Sequence, residues 1–156
     1  MGETDKGDRR MNAADRIGME TAVREAEKAA AEGEIPVGAA LYRGDTLLWA
    51  DHNRREQRHD PTAHAEMLCL RGGGEAKGDW RLNDCTLYVT LEPCPMCAGA
   101  LVMSRLGRCV FGAADPALNA NTVWEQAEDE EPYRSLLAGR FTGRRGRESA
   151  EEKVSE

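Results

Sequence analysis

The sequence predicts an α/β protein, a three-layer α/β/α sandwich around a central mixed sheet of about five strands. Three observations carry this expectation. Apolar residues recur at helical spacing early in the chain, a hairpin signal follows them, and β-branched runs then alternate with helical ones. At 156 residues the chain has the length of one domain and buries roughly two-thirds of its unfolded surface.

The first helix is expected over 13–32. This stretch is rich in Ala and Glu, with Ile17, Ala22, Val23, Ala26, Ala29 and Ala30 at helical intervals, and Gly33 stops it. Residues 36–42 and 46–50 read as two strands joined by a tight turn at Gly44-Asp45. A polar loop over 51–62 precedes a second helix from about Ala63 to Arg71, which the triple glycine Gly72 to Gly74 is expected to end.

Residues 85–91 are β-branched and aromatic enough for a buried strand, closed by Glu92-Pro93 before a helix over 95–103. A further strand is expected over 108–113. Beyond it, 115–121 reads as loop and 122–137 as weakly helical, interrupted by Pro132. The expected organisation is a disordered leader (1–12), a core (13–113) and a C-terminal segment with a frayed tail (114–156).

Five cysteines, two of them one helical turn apart, together with a polar N-terminus lacking an apolar export signal, point to a reducing compartment, the cytoplasm, and to metal binding. No apolar run has the length of a membrane span. The net charge of −7 repels nucleic acid on average, and the one dense basic run, Arg140, Arg144, Arg145 and Arg147, reads equally as a clamp for phosphates or as a solvated tail beside Glu148, Glu151 and Glu152.

A catalytic zinc takes three protein ligands and leaves the fourth position open, with a proton acceptor nearby. His64, Cys94, Cys97 and Glu66 meet that requirement. Cys94 and Cys97, at i and i+3, share one face of a helix start, where unpaired amides and the positive dipole end stabilise thiolates. His64 and Glu66 stand at the start of another helix, so two strand-to-helix junctions converge on one sheet edge. Cys69, Cys85 and Cys109 fall on apolar faces and read as core. His52 and His59 read as solvent-exposed loop residues. Asn53 reads equally as a turn former or a substrate contact.

His64-Ala65-Glu66 followed by Pro93-Cys94-Pro95-Met96-Cys97 resembles the zinc deaminase signature, His-x-Glu then Pro-Cys-x-x-Cys. The chain resembles the cytidine deaminase-like superfamily, and residues 34–39, 58–66, 79–82 and 87–112 resemble the bacterial tRNA-specific adenosine deaminases. The resemblance implies a Zn²⁺ cofactor held by His64, Cys94 and Cys97. It implies hydrolysis of adenosine to inosine at the anticodon wobble position, with Glu66 accepting a proton from the attacking water and then delivering protons to ring N1 and departing ammonia. It implies Asn53 as a contact to the flipped base or its ribose, Val37 and Ala63 as walls of the base pocket, tRNA as partner, and a homodimer.

After Gly112 the chain departs from that pattern: Ala113 to Asn121, the acidic run Glu128 to Glu131 and a tail with few aromatics replace a lysine- and glycine-rich loop and a basic helix. Guanine deaminases share residues 60–66 and 92–97. Alternatives therefore stand beside the tRNA reading: a deaminase of a free base or nucleoside, guanine or cytosine, and a non-catalytic zinc-bearing subunit.

Overall fold

The computed structural model describes residues 11–115. Its elements in order are helix α1 (Ala13–Ala31), strands β1 (Gly38–Arg43) and β2 (Thr46–His52), the short helix α2 (Arg55–Arg58), helix α3 (Ala65–Lys77), strand β3 (Cys85–Leu91), helix α4 (Pro95–Met103) and strand β4 (Arg108–Ala113). The sheet order is β2-β1-β3-β4, with β1 antiparallel to both neighbours and β3 parallel to β4. The described residues thus supply four strands where about five are expected: each stretch that reads individually as a strand is one, and the rest of 11–115 is helix or loop.

Alternation along the central strands assigns the two faces. Ala39, Leu41, Leu87 and Val89 join Ala65 and Cys69 of α3 and Leu101 of α4 in one buried cluster. On the other face Gly38 lies against the backbone of α1, where a methyl would overlap the Ala22 carbonyl, and Gly18 of α1 lies on the ring of Tyr88. Helices therefore cover both faces, and the layers are α/β/α. Cys69 and Cys85 are fully buried and Cys109 partly so, as small apolar residues.

Two helix expectations are corrected. Ile17 and Val23 face solvent, and α1 instead buries Asp15, Gly18, Ala22, Glu25 and Ala29. The small residues let the helix backbone approach the sheet, and the buried acids have partners. Tyr88 Oη–H donates to Asp15 Oδ1 at 2.9 Å, and Asp15 also receives Arg108, while Glu25 Oε2 lies 2.7 Å from His52 Nδ1. Asn12 belongs structurally to this helix rather than to a leader, since its Oδ1 accepts from Asp15 N at 2.8 Å as the N-cap. The earlier leader residues and the C-terminal segment from 116 onward lie outside the described residues.

Helix α3 does not stop at the triple glycine but runs to Lys77, ending at Gly78 in the left-handed region (φ 75°). Gly72 and Gly73 are there because a methyl at either would overlap Trp49 or Leu41 of the sheet. Both are contact glycines, and the stop signal is Gly78.

His52 also departs from expectation. It is buried, with Nδ1 on Glu25 and Nε2 2.7 Å from Glu32 Oε2, and it ties the end of β2 to α1. His59 is exposed, in the left-handed conformation that ends α2.

Candidate metal centre and active site

Strand β3 leads through Glu92-Pro93 to Cys94, the N-cap of α4, with Pro95 at the first helical position, where no backbone donor is lost. On the other side of the sheet edge, the loop after β2 brings His64 to the N-cap of α3. An N-cap side chain ordinarily bonds the free amides of the first turn. Neither His64 nor Cys94 does so, and both stay free for another partner.

That partner set is mutual. His64 Nδ1 lies 3.6 Å from Cys94 Sγ and 3.5 Å from Cys97 Sγ. Tetrahedral bonds of about 2.3 Å to sulfur and about 2.05 Å to nitrogen separate N and S donors by about 3.6 Å, so the donor set fits zinc. Helix α4 starts at Cys94 and carries Cys97 in its first turn.

Glu66, two residues after His64 in the first turn of α3, is buried, with 3% of its surface exposed, close to the Cys97 thiol. Burial pushes its carboxyl above the usual carboxylate range, and the thiol contact opposes this in part. Burial, followed by the Glu66 carboxylate, pushes the Cys97 thiol strongly upward. Burial and then the positive charge of Arg55 lower His64, so its imidazole stays neutral and offers a lone pair. A dication relieves the crowding of acidic groups that this centre otherwise carries.

A cavity of about 180 Å³ opens at the centre, lined by Val37, Asn53, Arg55, His64, Glu66 and Cys94 among others. Of the three residues expected to contact substrate, Val37 and Asn53 are in its wall. Ala63 is not: it is fully buried, its carbonyl accepting from Arg54 N, and Ala65 lines the cavity in its stead. Cys97 completes the donor set from beneath.

Asn53 is a turn former that also stands in the cavity wall. Its Oδ1 accepts from Arg55 N at 2.9 Å, an Asx-type turn that starts α2. This bond orients the amide in the cavity wall. Glu34, also buried, holds the same short helix by accepting from Glu56 N at 3.2 Å and Gln57 N at 2.8 Å.

Sequence reasoning missed Arg55, Ile35, Leu91 and Asp115 in the cavity wall. The Asn-Arg-Arg run read as polar loop, and only the Asx turn after Asn53 hinted that residue 55 is fixed. Glu92 Oε2 accepts from Asp115 N at 3.0 Å at the cavity edge.

The model of the cytidine and deoxycytidylate deaminase zinc-binding region matches residues 13–113. The tRNA-specific adenosine deaminase of Bacillus subtilis is 51% identical over 102 residues, covering 65% of this chain and 63% of that protein. The chloroplastic tRNA(adenine(34)) deaminase of Arabidopsis thaliana is 49% identical over 110 residues, 70% of this chain and 8% of that protein. The chain thus spans less than two-thirds of the length of both relatives.

Among solved structures, one from work on A-to-I editing by tRNA:A34 deaminases at the wobble position superposes with a TM-score of 0.63 and 42% identity, over 65% of this chain and 73% of that one. The guanine deaminase of Bacillus subtilis superposes with a TM-score of 0.67 and 26% identity, over 86% of this chain and 97% of that one. With the donor triad, the buried glutamate and the three-layer fold on the same residues, the chain belongs to the zinc-binding cytidine and deoxycytidylate deaminase family, beside the tRNA-specific adenosine deaminases.

Proposed function

We propose that the chain is a hydrolytic, zinc-dependent deaminase that converts adenosine to inosine at the wobble position of tRNA, with 13–113 as its catalytic core. The observation that carries the chemistry is the closure of His64, Cys94 and Cys97 to zinc-compatible spacing beside buried Glu66, at the floor of a cavity. The names of the relatives support the substrate.

His64 Nδ1 and the two thiolates would hold the metal. Zinc at this centre supplies Lewis acidity that lets a water ionise near neutral pH. Glu66 accepts the proton that the attacking water gives up as its oxygen bonds to carbon 6 of adenine. It passes that proton to ring N1, and a further proton goes to the amine, which leaves as ammonia. Adenosine and water are consumed, and inosine and ammonia are formed. Asn53 Nδ2 donates to the base or ribose, and Val37 packs on the ring.

We place the protein in the cytoplasm; among the described residues no helix is long and apolar enough to cross a membrane. We also propose a homodimer, supported by the open apolar side chains Val102, Met103 and Phe111 on α4 and β4. Light scattering showing a monomer at working concentration would reject this state.

The guanine deaminase superposition, extending over more of the chain than the other, favours a free purine base as the second reading. Incubation with tRNA, guanine, cytosine, adenosine and cytidine separates the two, with ammonia release followed alongside inosine in digested tRNA. Inosine at the wobble position with inert free bases supports the first reading. Turnover of a free base with untouched tRNA rejects it.

A further inference from the structure

We propose that Arg55 binds the phosphate joined to the target nucleoside, so that the site selects a base within a polynucleotide over the free base; this rests on the deaminase reading above. Arg55 is partly buried in the cavity wall, beside His64, Glu66 and Asn53. Its neighbour Arg54 is neutralised, Nε donating to Asp51 at 2.7 Å, and elsewhere Arg43 pairs with Asp84 and Arg108 with Asp15. The Arg55 guanidinium has no hydrogen bond or ion pair among the described residues, on a chain whose net charge is −7.

The backbone that presents it is held firmly. Arg55 N donates to Asn53 Oδ1 at 2.9 Å, its carbonyl accepts from Asp60 N at 3.2 Å, and the next two amides bond buried Glu34.

A partly buried cation without an ion pair leaves its charge uncompensated. Three carboxylates, Glu66, Glu92 and Asp115, share the wall with Arg55, and Arg55 makes no ion pair with any of them; Glu92 already accepts from Asp115 N. A phosphate on the substrate would complete Arg55. A guanidinium matches phosphate with two parallel donors. A free base or nucleoside carries no such group, whereas a nucleotide in a chain does.

The test uses the full zinc-loaded protein in a Glu66→Ala background, which leaves substrate unreacted. Affinity for an RNA stem-loop with an unpaired adenosine, for adenosine 5′-monophosphate and for adenosine is measured across a range of salt. Arg55→Ala should weaken stem-loop binding about tenfold at low salt and reduce the slope of log Kd against log salt by about 0.7, one single-strand phosphate contact. Arg55→Lys should restore most of the slope, and adenosine binding should not change. Loss confined to the mononucleotide would assign the contact to a free phosphate monoester and reject the polynucleotide.

An unchanged slope in Arg55→Ala overturns the phosphate contact. Arg55→Gln, of similar size, replaces any variant that fails to fold. If the otherwise wild-type enzyme makes inosine in tRNA while the slope ignores Arg55, only this inference falls. If it deaminates a free base and leaves tRNA untouched, the reading beneath it falls.

Discussion

Asp15, near the start of α1, receives both terminal nitrogens of Arg108 on β4, at 2.6 Å and 2.9 Å, fastening the first described helix to the last described strand. The guanidinium of Arg108 holds the Asp15 carboxyl below its ordinary value, with Tyr88 assisting. A depressed carboxyl stabilises the fold fully above the unfolded value, near pH 4, and loses that contribution as pH falls through the folded value. Asp15→Asn should cost about 2 kcal/mol at neutral pH, read as a lower urea midpoint. The gap from wild type should close as the medium is acidified, and a gap independent of pH would refute the charge assignment.

The metal centre joins two helix starts, so removing a ligand should weaken both binding and fold. One zinc per chain is expected by elemental analysis, and Cys94→Ala should lose it. Saturation a thousandfold above Kd adds about 4 kcal/mol to stability, so chelation should lower Tm in the wild type and leave Cys94→Ala unmoved.

Glu66→Gln preserves shape and removes the proton carrier. Zinc content should stay at one per chain while kcat falls by about 10² to 10⁴. Retained turnover would reject Glu66 as the shuttle.

Asn53→Asp separates the two roles of that residue. The carboxylate still accepts from Arg55 N, so α2 should stay in place, but the donor toward the cavity becomes an acceptor. A loss of about 2 kcal/mol in kcat/KM with an unchanged urea midpoint is expected. Equal losses in both would make Asn53 a turn former only.

The triple glycine offers a test within three consecutive residues. Gly74→Ala meets nothing nearer than 3.6 Å and should stabilise by up to about 1 kcal/mol through helix propensity. Gly73→Ala must displace Leu41, which is fully buried, and should destabilise by about 1 to 3 kcal/mol. Thermal melts that rank the two alike would contradict the contact.

Much of this site was legible because its chemistry uses local signals. Residues 85–91 and 108–113 are strands as read, 95–103 is a helix, and the spacing of His64, Glu66, Cys94 and Cys97 brings their side chains together. What was not legible depends on partners distant in sequence. Gly72 and Gly73 resemble a helix stop until Trp49 and Leu41 are seen against them. His52 resembles a loop residue until Glu25 and Glu32 enclose it. Arg55 takes its meaning from the cavity that other elements build around it.

Cys94 follows β3 by three residues, and β3 is paired residue for residue with β1. A slip of one position would move the cysteine about 3.3 Å along the strand and exchange the strand's faces, a shift as large as the whole nitrogen-to-sulfur spacing. Correct pairing of β3 with β1 is thus a condition for bringing Cys94 within reach of His64.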